Sequence, residues 1–170
     1  MEPETYTSET AIRAATVADT EQVCDIYNHY VRHTTVTFEE EPVTAVEMQQ
    51  RIDEVLMGLP WLVWVEAGRV LGFCYAGKWK TRHGYRYAVE SSIYLHPDST
   101  GLGIGTRLYA ALVRDLRQRE LHVVIGGIAL PNERSVALHE RMGFRKTAHF
   151  EQVGWKFNRW IDVGYWQLFL

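Results

Sequence analysis

Long apolar runs are missing from this chain. No stretch approaches the roughly 20 apolar residues that a membrane-spanning helix requires, so the sequence predicts no membrane partner. Cysteine is scarce: Cys24 and Cys74 are the only two, each inside an apolar stretch. Such residues predict buried thiols in a reducing compartment rather than a disulfide framework. A basic excess is also missing. With 18 Lys and Arg against 21 Asp and Glu the net charge is −3, which argues against a nucleic-acid partner. The opening "MEPETYTSETAIRAA" has neither the basic region nor the apolar core of a secretory leader, and a cytoplasmic location is expected. No repeat or low-complexity linker divides the chain.

What is present is a globular composition, 46% hydrophobic and 23% charged over 170 residues. That suits one domain with a proper core. Residues 1–9 read as a flexible tail and 10–170 as a single domain. "AIRAA" reads as a short strand. Thr16 with Asp19, and Thr44 with Glu47, have the spacing of capping boxes. Behind them Val23, Ile26, Tyr27, Tyr30 and Val31, then Met48, Ile52, Val55 and Leu56, follow helical spacing. "PWLVWVEAGRVLGFCYAG" reads as a hairpin turning at Ala67–Gly68. "YRYAVESSIYLHP" is a strand ended by Pro97. Val89, Ser91, Ile93 and Leu95 share one face of it, and Glu90, Ser92 and Tyr94 the other.

A helix with Leu108, Leu112 and Leu116 on one face follows. "HVVIGGIAL" is a strand apolar enough to be buried on both faces. "NERSVALHERMGF" is a short helix stopped by Gly143. Strands near Lys146–Gln152 and Val163–Phe169 complete the order β-α-α-β-β-β-α-β-α-β-β. This is an α/β chain, with a mixed, mostly antiparallel sheet flanked by about four helices.

Between a strand and a helix stands "TGLGIGT", Thr100 to Thr106. Backbone N–H groups at such a junction, with the helix dipole behind them, suit a phosphate. A P-loop would need Gly-Lys-Ser/Thr, and here Thr106 and Arg107 follow Gly105. A dinucleotide fingerprint would need Gly where Thr106 stands. A plain glycine-rich turn stays open as the bland alternative. His29 and His33 sit four apart on a helix, but no third ligand is evident, and no metal is expected.

Taken together, "IYNHYV", "TFEEEP", "YAGKWKTRHGYRYAVESSIYLHP", "TGLGIGTRLY", "NERSVALHERMGF" and "QVGWKFNRWIDVGYWQL" resemble the GCN5-related N-acetyltransferase (GNAT) superfamily over nearly the whole chain. Within it they are most similar to the phosphinothricin and methionine sulfoximine acetyltransferase group. The resemblance implies the GNAT fold, acetyl-CoA as co-substrate and a homodimer. It implies direct acetyl transfer, in a ternary complex, to the amino group of L-phosphinothricin, L-methionine sulfoximine or L-methionine sulfone. Acetylation of another small amine, and a non-catalytic acetyl-CoA-binding module, remain as alternatives.

The same resemblance assigns residues. Thr100, Gly101, Leu102, Gly103, Ile104, Gly105 and Thr106 would hold the pyrophosphate, with Thr100 standing where Gln or Arg is usual. The backbone of Ile93, Tyr94 and Leu95 would pair with the pantetheine arm, and the Leu95 N–H would face the thioester carbonyl. Asn132 and Ser135 would bind the same co-substrate; Asn132 also reads as a plain helix cap. Glu90 would be the base acting through water, against the plainer reading of a solvated strand charge. His139 would be an acid or part of a proton relay, against a core histidine. Trp79, Lys80, Arg82 and Tyr85 would line the acceptor site, where cations suit a carboxylate and a phosphinyl or sulfoximine oxygen. Phe38 and Lys156 would join them, contributed across a dimer.

Overall fold

The computed structural model describes residues 10–170; the tail expected over 1–9 lies outside the described residues. Seven strands run β1 (Thr10–Ala14), β2 (Trp61–Glu66), β3 (Arg69–Lys78), β4 (Ala88–Leu95), β5 (Val123–Leu130), β6 (Arg145–Lys156) and β7 (Arg159–Phe169). Four helices interleave with them: α1 (Thr20–His33), α2 (Ala45–Leu56), α3 (Ile104–Arg117) and α4 (Glu133–Arg141). The strands form one sheet in the order β1-β2-β3-β4-β5-β7-β6. Every neighbouring pair is antiparallel except β4 and β5. Parallel strands need a crossover, and α3 supplies it. Among the described residues no helix is long and apolar enough to cross a membrane.

Local chemistry accounts for the element ends. The Thr44–Glu47 capping box forms, with the Glu47 N–H donating to Thr44 Oγ1 at 3.2 Å and the Thr44 N–H to Glu47 Oε2 at 2.8 Å. Thr16 and Asp19 form the other box, but around a 3-10 turn over Val17–Asp19, so α1 starts only at Thr20. Residues Tyr85–Tyr87, expected in strand, lie in an exposed turn before β4. The final hairpin is longer than its hydrophobic pattern suggests. Its strands continue to Lys156 and from Arg159, around a two-residue turn in which Phe157 and Asn158 both have positive φ.

Two cores lie on the two faces of the sheet. On one, α3 buries Leu108, Leu112 and Leu116 against Val89, Val124, Ile128 and Trp166. On the other, α1 and α2 bury Val23, Ile26, Met48 and Ile52 against Trp61, Val63, Phe73 and Tyr94. The alternation expected along β4 holds: Val89, Ile93 and Leu95 join the first core and Tyr94 the second. Cys74 and Cys24 are buried free thiols. The last strand buries Trp166 and Leu168, whereas Phe169 is exposed.

The Arg13–Asp19 pair ties β1 to the entry of α1. Asp19 is 4% exposed and accepts from Arg13 Nη1 at 2.7 Å, Arg13 Nη2 at 2.9 Å and the Thr16 N–H at 2.8 Å. Burial pushes its carboxyl up, but the Arg13 guanidinium and the Thr16 donors outweigh burial and hold it below the usual carboxylate range. A depressed folded-state pKa means that the stability is present above the unfolded pKa and lost as pH falls through the folded value. The Asp19→Asn variant should therefore be less stable at neutral pH. It should also lose part of the decline in urea midpoint that the parent shows below about pH 4.

Candidate functional site

The central parallel pair is short. β4 and β5 pair only over Ala88–Glu90 and Val123–Ile125. Beyond that the strands part, while β4 stays on β3 to Leu95 and β5 stays on β7 to Leu130. The result is a gap within the sheet, with one edge of β4 free of a strand partner. Its polarity follows from register. The His96 N–H donates to the Leu71 carbonyl at 2.9 Å, and antiparallel pairs alternate. So Glu90, Ser92 and Tyr94 direct their backbone groups to β3, and Ser91, Ile93 and Leu95 direct theirs into the gap. Of the three residues expected to pair with a pantetheine arm, Ile93 and Leu95 are turned that way and Tyr94 is not. The Leu95 carbonyl already accepts from the Tyr30 hydroxyl at 2.7 Å, with the Leu95 N–H 3.4 Å from the same oxygen. A ligand carbonyl at Leu95 would share this donor with Tyr30.

The glycine loop lies where the chain leaves β4 for α3. Gly101 and Gly103 have φ of +81° and +76°, and a Cβ at either would meet no atom within 4 Å. Backbone conformation, not crowding, requires glycine there. Gly103 is the N-cap of α3 and offers no side-chain cap, so the first N–H groups of the helix remain available to an anion. Gly105 serves packing instead: its Cβ would lie 3.2 Å from Leu95 Cδ1. Thr100 Oγ1 is 3.4 Å from the Pro97 carbonyl, and Leu102 is exposed. Ile104 is buried, and Thr106 Oγ1 lies 3.5 Å from Arg141.

Past the parting point, β5 carries Gly126 and Gly127 side by side, facing opposite sides of the sheet. A Cβ on Gly126 would lie 2.5 Å from His139 Nε2, and one on Gly127 would lie 3.1 Å from Glu90 Oε1. The two strongest candidates from sequence thus occupy the two faces of one glycine pair. Glu90 is half-buried beside an exposed Gly127. Burial pushes its carboxyl above the usual range, with Lys80 acting the other way. His139 is 4% exposed. Its Nδ1 lies 2.8 Å from the Ser135 carbonyl and its Nε2 3.1 Å from the Tyr109 hydroxyl. Burial lowers its pKa, against the Ser135 carbonyl, and favours the neutral ring. Asn132 caps α4 by accepting from the Ser135 N–H at 3.1 Å.

The acceptor residues divide into two groups. Lys80 Nζ sits 4.7 Å from the Trp79 ring centroid, and Trp79 meets Tyr165 edge-on at 5.5 Å. Tyr165 borders Gly127, so this cluster surrounds Glu90. Arg82 and Tyr85 stand further out on the exposed turn. Among the described residues, neither side chain makes a hydrogen bond or ion pair. Phe38 and Lys156 come together within one chain. The Phe38 ring packs on Gly154, and the 1% exposed Lys156 donates to the Thr37 carbonyl at 2.7 Å. Burial lowers the Lys156 pKa, with Glu40 and Glu39 opposing. His29 and His33 have ring centroids 5.0 Å apart, and among the described residues no metal-binding group of three or more forms.

Four features escaped the sequence. The Gly126–Gly127 pair inside a strand was a legible signal of close approach. Tyr109 and Tyr30 were hidden, because a tyrosine on an apolar helix face reads as core. The fourth is an open cavity of about 230 Å³, lined by Tyr27, Met48, Arg51, Glu54, Val55, Trp61, Phe73 and Tyr75. Its Tyr75 stands two residues along β3 from Gly77, the partner of Glu90. Arg51 is held at its edge by Glu39 at 2.7 Å.

Comparison with known proteins agrees with the fold. The profile of the acetyltransferase (GNAT) domain family matches residues 12–164. A phosphinothricin N-acetyltransferase of Streptomyces viridochromogenes is 40% identical over 156 residues, covering 92% of this chain and 85% of that protein. An L-methionine sulfoximine/L-methionine sulfone acetyltransferase of Salmonella typhimurium is 39% identical, covering 92% of each chain. The structure of a GNAT phosphinothricin acetyltransferase from Sinorhizobium meliloti, in complex with acetyl-CoA, superposes with a TM-score of 0.91. It is 34% identical and covers 95% of this chain and 88% of its own.

The glycine pair is open to direct test. In Gly126→Ala the new methyl group meets the buried imidazole, which is fixed at both nitrogens. In Gly127→Ala it meets a carboxylate beside an opening. Gly126→Ala should cost about 1–3 kcal/mol in urea unfolding, and Gly127→Ala clearly less.

Proposed function

Because the chain belongs to the GNAT acetyltransferase family, we propose that it passes the acetyl group of acetyl-CoA directly to the amino group of a small amino-acid-like acceptor. Phosphinothricin and methionine sulfoximine or sulfone are the acceptors we expect. The observation that carries this reading is the placement of Glu90. A half-buried carboxylate with a raised pKa stands where the sheet opens, between the unpaired edge of β4 and the Trp79–Lys80 cluster.

The residues suit the co-substrate. Gly101 and Gly103 shape a loop whose N–H groups, with those at the start of α3, suit a pyrophosphate. Ile93 and Leu95 offer backbone groups along the gap to an extended amide-bearing arm. An amine is inert while protonated, so Glu90 takes a proton from the ammonium group, through water, before nitrogen attacks the thioester carbonyl. Holding both reactants in the gap removes the entropy cost of their encounter. Lys80 meets the acceptor's anionic end and also tempers the pKa of Glu90.

Thiol release from acetyl-CoA tests this reading with L-phosphinothricin, L-methionine sulfoximine, L-methionine sulfone, common amino acids and polyamines. Turnover confined to the first three is the expected result; turnover confined to polyamines would overturn the acceptor class. Glu90→Gln should lower kcat about 100-fold with little change in KM for acetyl-CoA. Glu90 works as the carboxylate, so the parent's rate should rise with pH through a value above the ordinary glutamate range. Glu90→Gln should lose that limb.

A homodimer is part of the same proposal. Of the aromatics that end β7, Trp166 is buried, Tyr165 half-buried and Phe169 exposed. An exposed apolar group lies on and beside the β6–β7 hairpin: Phe150, Val153, Trp155, Phe157 and Trp160 are 43–59% exposed. β6 is also the outer strand of the sheet, and such an edge is a natural template for a second copy. Trp160→Glu should convert a dimer to a monomer in sedimentation velocity.

A further inference from the structure

The chemistry above uses one face of the glycine pair. The other face holds a chain of buried polar side chains that runs from β4 into the core. Ser91, 5% exposed, is the first residue of β4 beyond the paired segment. Its Oγ lies 2.6 Å from the hydroxyl of Tyr109, a residue with no exposed surface. That hydroxyl lies 3.1 Å from His139 Nε2, and His139 Nδ1 lies 2.8 Å from the Ser135 carbonyl.

The proton positions follow by elimination. A carbonyl only accepts, so Nδ1 carries a proton and donates to Ser135. The ring is deeply buried, which disfavours a second proton and leaves Nε2 as a bare acceptor. Tyr109 must then donate to Nε2. Its oxygen can only accept from Ser91, so the Ser91 proton points at Tyr109. The other acceptor near Ser91, the Ile125 carbonyl, is 3.4 Å away. Both hydroxyl protons thus point from Ser91 toward the imidazole.

We propose that Ser91, Tyr109 and His139 form a proton relay, polarised at rest, that is entered at Ser91 and accepts at His139. The proposal rests on the acetyl-transfer reading and assigns the second of two protons. An ammonium group becoming an amide loses two protons. Glu90 takes the first before attack. The second leaves nitrogen after the N–C bond has formed, as the C–S bond breaks and sulfur departs with its electron pair. That proton passes to Ser91 Oγ, the Ser91 proton to Tyr109, and the Tyr109 proton to His139 Nε2. The resulting imidazolium donates from both nitrogens, to Tyr109 and to the Ser135 carbonyl. Reversal of the same steps returns the proton to solvent after product leaves. An acid role for His139 would need a proton on Nε2, and this geometry puts none there. Tyr109 is a positioning residue in this scheme: it acts only through its two partners.

Two measurements test the relay. The first is the ¹⁵N spectrum of the full-length protein labelled at histidine, with no substrate added. His139 should show a protonated Nδ1 and a bare, hydrogen-bonded Nε2. In Tyr109→Phe the Nε2 signal should move toward that of an unbonded nitrogen. A proton on Nε2 in the parent would overturn the relay whatever the enzyme acetylates. The second is kinetic. Tyr109→Phe and Ser91→Ala should each lower kcat about tenfold or more, with KM for acetyl-CoA within about twofold. The double variant should be no slower than the worse single one, because one broken relay cannot be broken again. Unchanged kcat, or losses that multiply, would mean separate structural roles and overturn the proposal. Ser91→Ala carries the kinetic test should Tyr109→Phe fold poorly. Should no acceptor in the panel turn over, the acceptor class fails, while the nitrogen spectrum still decides the relay.

Discussion

The parting of β4 from β5 after Glu90 and Ile125 is the constraint on which the rest of the site depends. Unpaired backbone groups inside a sheet are costly unless something else satisfies them. Two tyrosines hold the β4 edge of this opening, one from each face, and Tyr30 is the one that reaches a backbone group. Tyr109 of α3 bonds Ser91 at the apex, and Tyr30 of α1 bonds the Leu95 carbonyl at the mouth. The opening is thus braced by both helical layers. Its shape is set by the same packing that makes the two cores.

That geometry explains why glycine is needed at Gly126 and Gly127. β5 borders the gap and stays paired with β7, and both of its faces meet side chains at the two glycines. One faces Glu90, half-buried next to an opening. The other faces His139, sealed among Tyr109, Phe144 and Gly126. Burial moves the two groups in opposite senses, raising the carboxyl and lowering the imidazole. Each shift favours the neutral form; for Glu90 it is a move toward the range in which a carboxylate serves as a base near neutrality.

In the proposed reading, recognition of the two substrates is separated in the chain. The glycine loop and the edge of β4 are backbone devices, indifferent to the acceptor. The acceptor side, on that reading, would be built from side chains: Trp79, Lys80 and Tyr165 around Glu90. The loop carrying Thr37, Phe38 and Glu39 is pinned to the β6–β7 hairpin by Lys156 and Gly154. This pinning explains why Lys156 is buried: it is a tether for the wall, bonded to a backbone carbonyl.

Element order and the two faces of β4 were readable from the sequence alone, because periodicity and capping are local. So was the loop from Thr100 to Thr106, because positive φ at Gly101 and Gly103 leaves a mark in residue type. The resemblance added Glu90 and His139. The tertiary structure alone decided that these two lie on opposite sides of one strand, and that Tyr94 turns its backbone away from the gap. It alone decided that Phe38 meets Gly154 within one chain, and that the β6–β7 hairpin extends to Phe157 and Asn158. It also gave Tyr109, Tyr30 and Arg51 their polar work. The physical reason is distance along the chain. A tyrosine on an apolar helix face looks like core until its hydroxyl has a partner. The partners here stand 18 residues away for Ser91, 30 for His139 and 65 for Leu95. Local patterns settle the order of strands and helices; only the packing of distant segments brings their polar groups together.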